Sequence, residues 1–123
     1  MIKGIGIDLV ELSRIRSWIE PKFIERILSD DEKKMYDTIT HEQRKLTFIG
    51  GRFAAKEALF KAISHGDKQA NYRDFSILND EHGKPYVVSM YLSDHEKVHL
   101  SISHTKHYAV AYVVIETLLH NVS

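Results

Sequence analysis

The chain has 123 residues, 43% hydrophobic and 28% charged, which is a globular composition and excludes a disordered chain. Seventeen lysines and arginines balance seventeen aspartates and glutamates, so no bulk attraction to nucleic acid or to a membrane surface is expected. With no cysteine, disulfides, thiol nucleophiles, cysteine-bound zinc and iron–sulfur clusters are excluded. The length predicts one domain over residues 1–123, burying roughly two-thirds of its unfolded surface. A large active-site cleft would strain so small a core, and a site where subunits meet relieves that limit. No apolar run approaches the ~20 residues of a membrane span. The start, Met1-Ile2-Lys3-Gly4, has no signal-peptide hydrophobic region, so the cytosol is the expected location.

Residues 2–10 alternate Ile5, Ile7 and Leu9 with Gly4, Gly6 and Asp8, which predicts a strand with two dissimilar faces. Ser13 can cap a short helix through residue 20, where Pro21 stops it. A second short helix is expected over residues 23–28. Ser29 and Glu32 form a capping box for a third, ending near Ile39. Thr40 and Gln43 repeat that signature before the longest helix, residues 41–63, ~34 Å long at 1.5 Å per residue. Residues 75–79 and 86–90 read as strands joined across Glu81-His82-Gly83-Lys84. Residues 98–103 alternate, and the turn His104-Thr105-Lys106-His107 leads into residues 108–115. That last strand is apolar on both faces and should be central or lie at an interface. The expected class is α+β, a mostly antiparallel sheet packed on one long helix with short N-terminal helices.

Asp8 shares a face with Gly4 and Gly6, where no side chain blocks approach. A carboxylate beside bare backbone suits a metal or an anion–metal complex, while the structural alternative is glycines that let a helix pack close. On the long helix, Phe48, Ala55, Ala58, Leu59, Ala62 and Ile63 form an apolar stripe. Leu46, Ile49, Gly50, Phe53 and Phe60 form a second one, with Glu57 and Lys61 in its middle. Charges in so poorly solvated a place need partners. They read equally as a site or as a simple i,i+4 ion pair. Lys45, Arg52 and Lys56 form a basic stripe expected to be a solvated face. His95-Glu96-Lys97-Val98-His99 spells the zinc-protease signature H-E-x-x-H. Its helix is missing, since Val98 belongs to a strand pattern, where positions four apart lie ~13 Å apart, too far for one zinc.

Three ordered segments carry a resemblance. They are residues 4–15 (Gly-Ile-Gly-Ile-Asp-Leu-Val-Glu-Leu-Ser-Arg-Ile), 51–62 (Gly-Arg-Phe-Ala-Ala-Lys-Glu-Ala-Leu-Phe-Lys-Ala) and 100–105 (Leu-Ser-Ile-Ser-His-Thr), with Gly83-Lys84-Pro85 between. Over the whole chain the sequence resembles the holo-acyl-carrier-protein synthases, small trimeric phosphopantetheinyl transferases. The resemblance implies that 4′-phosphopantetheine moves from coenzyme A to a serine of apo acyl carrier protein, a step of fatty acid biosynthesis, and that adenosine 3′,5′-bisphosphate leaves. It implies that Asp8 and Glu57 hold a divalent metal, usually magnesium, and that Lys61 contacts the pyrophosphate. It places coenzyme binding on Arg52, Lys61, Gly66, His104 and Thr105. It implies a homotrimer with sites at subunit interfaces, and carrier contact through Arg14. Read from the residues alone, Arg14, Arg16, Lys22 and Arg26 cluster with Trp18 and Phe23, which would offer an acidic carrier helix charge at the rim and an aromatic anchor.

This agrees with the residue chemistry, because attack on a pyrophosphate needs a hard cation and a lysine to meet developing negative charge. The loop after the helix departs from the family's usual Gly-Thr-Gly, reading Ser64-His65-Gly66. Two rivals remain: a coenzyme A or nucleotide-binding module without transfer activity, and a zinc hydrolase built on His95 and His99.

Overall fold

The computed structural model describes residues 1–63 and 70–118 and opens with a ten-residue strand, β1 (Ile2–Glu11). Its alternation is real, but the apolar side chains point outward: Ile5, Ile7 and Leu9 are each more than half exposed. The glycine face points inward, against a helix. β1 passes without a loop into α1 (Leu12–Trp18), and the Leu12 amide donates to the His107 carbonyl at 2.8 Å. This helix is shorter than the sequence suggests and begins at Leu12, not after Ser13. Pro21 does not stop it but stands in the first turn of α2 (Pro21–Ile27), where its missing N–H costs nothing. Glu20 before it is extended, at φ −153° and ψ 166°.

α3 (Asp30–Thr38) starts with the expected capping box: Ser29 Oγ accepts from the Glu32 amide, and the Glu32 carboxylate accepts from the Ser29 amide. α4 (Glu42–Ile63) is capped differently from expectation. His41, not Thr40, receives its first donors, with Nδ1 accepting from the Arg44 amide at 3.4 Å and the carbonyl from the Lys45 amide at 2.9 Å. Gln43 is drawn away to donate to the Lys106 carbonyl.

A 3₁₀ turn (Tyr72–Asp74) precedes the hairpin of β2 (Ser76–Asn79) and β3 (Pro85–Val88). Gly83, at φ 82°, takes the left-handed position of its turn. β4 (Glu96–His104) and β5 (Tyr108–Thr117) complete an antiparallel sheet of order β1-β5-β4. β5 is therefore central: its inward residues Ala109, Ala111, Val113 and Ile115 are buried, while Tyr108 and Tyr112 on its outward face stay exposed.

The inner face of this sheet lies on α4. A Cβ on Gly4 would sit 1.8 Å from the Ala62 carbonyl oxygen, and one on Gly6 would sit 1.9 Å from that of Ala58. Glycine on the strand and alanine on the helix let the two backbones touch. Ala54, Ala55, Ala58 and Leu59 of α4 fill the core with Phe75, Ile77 and the inward residues of β5. A second cluster joins Leu12, Ile15, Ile27 and Leu28 of the N-terminal helices to Leu46 and Ile49 of α4.

Candidate active site

The close approach of β1 and α4 decides where Asp8 goes. It faces α4 from the strand, and its Oδ1 accepts from Lys61 Nζ at 3.1 Å. Lys61 also donates to the Ile7 carbonyl at 2.9 Å. The Lys61 side chain is 54% exposed and that of Asp8 is 18% exposed. The expectation of a poorly solvated lysine is therefore corrected: the helix face carrying Lys61 opens to solvent at the edge of β1. Glu57, one turn earlier, is half-buried, and its Oε1 accepts from the Tyr72 hydroxyl at 2.8 Å. The simple Glu57–Lys61 pair is not the arrangement found, because each residue is engaged across the tertiary structure.

Tyr72 stacks on Phe53 at 5.8 Å between ring centroids and meets Phe60 edge-on at 5.2 Å. Burial first, and then the hydrogen bond to Glu57, push the Tyr72 pKa up to about 12. The hydroxyl is the donor in this bond, since a carboxylate oxygen accepts.

Asp8 and Glu57 line one cleft of about 280 Å³ with Glu11, Arg14, Trp18, Phe53 and Tyr108. Two carboxylates supply hard oxygen donors. Among the described residues no group of three or more His, Cys, Asp or Glu side chains is close enough to hold a metal ion by itself. Such a donor set suits a hard cation that completes its shell with water and phosphate oxygens, and not a structural zinc.

A second cleft, of about 410 Å³, lies on another side of α4. Arg44, Arg52 and His104 line it, with Gly83 of the β2–β3 turn and Pro85 at the start of β3. Arg52 donates to the Ile77 carbonyl at 3.0 Å and lies 4.2 Å over the Phe48 ring, while its buried Nε has no hydrogen-bond partner among the described residues. Burial pulls its pKa down, and the Glu32 charge opposes that. Three basic groups around a glycine turn suit a phosphate-bearing ligand. Thr105 serves the β4–β5 turn itself, its Oγ1 accepting from the His107 and Tyr108 amides at 3.1 Å each.

The basic stripe expected to be solvated is largely buried. Arg52 is 8% exposed and Lys56 is 0% exposed. Lys56 Nζ pairs with Glu32 Oε1 and donates to the Ile27 carbonyl at 2.6 Å. Glu32 Oε2 accepts from the Ile77 amide at 2.9 Å. Sequence reading missed this pair. Its one local sign was Glu32 in the capping box, which brings a carboxylate to the buried end of α3.

The sequence model described as "4′-phosphopantetheinyl transferase superfamily" matches residues 4–113. A holo-[acyl-carrier-protein] synthase of Acholeplasma laidlawii is 58% identical over 117 residues, covering 95% of this chain and 98% of that one. The chain belongs to the holo-[acyl-carrier-protein] synthase family of that superfamily. Among solved structures, the Bacillus anthracis holo-(acyl-carrier-protein) synthase in complex with CoA (3′,5′-ADP) matches with a TM-score of 0.85 and 45% identity, covering 95% of this chain and 98% of that one. The Neisseria meningitidis holo-[acyl-carrier-protein] synthase matches with a TM-score of 0.81 and 30% identity, covering 95% and 100%.

For this member of the synthase family, the structure gathers the other expected residues as follows. Trp18, 41% exposed, lies 6.0 Å from the rings of both Phe23 and Phe53, with the Arg14 guanidinium 5.6 Å over it. Lys22 is exposed, and Arg26 lies 5.8 Å over the Tyr72 ring. Arg52 and His104 fall in the second cleft, apart from Asp8 and Glu57. α4 is described as far as Ile63, and Ser64, His65 and Gly66 lie outside the described residues. The H-E-x-x-H segment is no helix: His95 precedes β4, and His99 on that strand has its Nε2 3.0 Å from Glu116 Oε1.

Proposed function

We propose that residues 1–123 act as one transferase domain that moves 4′-phosphopantetheine from coenzyme A to a serine of an apo acyl carrier protein. The observation that carries this is the meeting of Asp8 and Glu57 in one cleft, with Lys61 on Asp8, in a chain of this family. The serine hydroxyl gives up its proton to solvent as its oxygen bonds to the β-phosphorus, the bridging P–O bond breaks, and adenosine 3′,5′-bisphosphate leaves with that bond's electron pair. Asp8 and Glu57 would hold Mg²⁺, which when bound supplies charge neutralisation at the pyrophosphate. Lys61, half free to solvent, turns its ammonium to the phosphoryl oxygens of the leaving group. The second cleft takes the nucleotide end of the coenzyme, with Arg52 and His104 meeting its phosphate. A binding module without transfer activity would have no use for two carboxylates facing one cleft.

The two clefts of one chain are separate, and the outer sheet face leaves Ile5, Ile7, Leu9 and Tyr112 exposed. An apolar face of this kind marks an interface. We place a homotrimer there, with a cleft of one copy completed by the other cleft of its neighbour. Arg14, Lys22 and Arg26 around Trp18 and Phe23 form the carrier surface, with basic groups for an acidic helix and an aromatic anchor among them. The cytosol, expected from the sequence, remains the proposed location. The activity test mixes the protein with coenzyme A, Mg²⁺ and an apo carrier. Mass spectrometry should find a phosphopantetheine adduct on the carrier serine, and an unmodified carrier would refute the reading.

A further inference from the structure

Glu57 reaches the cleft from a helix, by a side chain with three rotatable bonds. A carboxylate on such a stem is a poor half of a cation site unless something fixes it. The structure supplies that from outside the cleft. Tyr72 lies 15 residues further along the chain, in the 3₁₀ turn, and donates to Glu57 Oε1 at 2.8 Å. The ring is itself held. Phe53 stacks on it, Phe60 meets it edge-on, and the Arg26 guanidinium lies 5.8 Å from its centroid. The turn is tied down in its turn: Arg73 Nε donates to the Leu28 carbonyl at 3.2 Å, and the Asn71 amide to Asp74 Oδ2 at 2.7 Å. The hydroxyl thus stands at a fixed point, engaged with one oxygen of Glu57.

We propose that Tyr72 is a positioning residue for Glu57: its hydroxyl holds Oε1 and leaves Oε2 for the cation shared with Asp8. The proposal rests on the shared-cation reading above. It separates two roles within one aromatic side chain. The ring packs the wall of α4, and the hydroxyl orients a ligand of the cation.

Tyr72→Phe separates them experimentally, since it keeps the ring and deletes the oxygen. Mn²⁺ in place of Mg²⁺, titrated into the protein with coenzyme A present and read by electron paramagnetic resonance, gives affinity without turnover. Tyr72→Phe should weaken Mn²⁺ binding by ~10-fold, the usual loss when a partner behind a metal ligand is removed. The coenzyme KM at saturating Mg²⁺ should stay within about twofold of wild type, with the loss concentrated in the metal dependence of kcat. In a Glu57→Gln background, Tyr72→Phe should produce no further loss, because a residue that acts through Glu57 has nothing left to position.

Wild-type Mn²⁺ affinity in Tyr72→Phe, with Glu57→Gln weakened, overturns the role of Tyr72 alone. Wild-type affinity in Glu57→Gln overturns the shared-cation reading itself. Additive losses in the double variant, or a Tyr72→Phe protein that fails to fold, also contradict the proposal, since the hydroxyl would then serve the fold.

Discussion

Gly6 and Ala58 touch backbone to backbone: a Cβ on Gly6 would lie 1.9 Å from the Ala58 carbonyl oxygen. That contact sets the distance between β1, which carries Asp8, and α4, which carries Glu57 and Lys61. Gly6→Ala must push strand and helix apart, because the obstacle is main chain and cannot swing away. We expect a loss of about 3 kcal/mol in denaturant unfolding, the upper end for overpacking. Transfer should fall by ~10²-fold, since ångström-scale misplacement at a reacting centre costs that much. Wild-type stability and turnover in Gly6→Ala would show that the spacing is not critical.

The Glu32–Lys56 pair predicts an asymmetric pattern of stability. Lys56→Met strands the Glu32 carboxylate at 0% exposure, a change that costs ~3–5 kcal/mol in buried pairs. Adding Glu32→Gln should recover part of that loss, because no unpaired charge then remains. Thermal or urea unfolding of the single and double variants reads the coupling directly. Equal and additive losses would mean that the pair contributes as two separate packing residues.

How far these relationships could be read from the sequence depends on whether their causes are local. The capping box at Ser29 and Glu32 is local, and it stands as expected. So does the central place of β5, although its outward face, with Tyr108 and Tyr112, is exposed within the single chain. The alternation of β1 was legible, and so was the helix-packing use of its glycines as one of two readings. Asp8 proves to belong to the same inward face. Partners are another matter. Glu57 and Lys61 stood out as charges among apolar residues, but nothing within a helical turn points to Tyr72 or Asp8. The stripe of Arg52 and Lys56 misled because one helix viewed alone cannot show that α3 and the β2–β3 hairpin cover it. His41 took the cap from Thr40 by a side-chain contact that the Thr-x-x-Gln pattern does not record.

The outer sheet face gives an assembly prediction. Ile7 points away from α4 and is 55% exposed, so Ile7→Asp in an isolated chain should change stability by no more than about 0.5 kcal/mol. If three copies cover that face, the same change buries a carboxylate in an apolar interface and breaks the assembly. Light scattering should give three chains for the wild type and one for Ile7→Asp, with transfer lost. A fully active wild-type monomer would refute the trimer.

Arg14 tests the carrier surface. Its guanidinium lies over Trp18 at the edge of the Asp8–Glu57 cleft. Arg14→Ala should raise the carrier KM by about tenfold while the coenzyme KM hardly moves, with the defect narrowing as salt screens the wild-type attraction. Equal effects on both substrates would place Arg14 in the coenzyme site instead.

The central claim is that Asp8 and Glu57 act together on one pyrophosphate. It is tested most directly by the rate of phosphopantetheine transfer, followed by mass spectrometry of the carrier, in Asp8→Asn and Glu57→Gln proteins shown by thermal melts to be folded. Each variant should lose at least ~10²-fold in rate, the usual loss when one charge-stabilising group is removed from a reacting centre. Transfer at the wild-type rate by either folded variant would contradict the account.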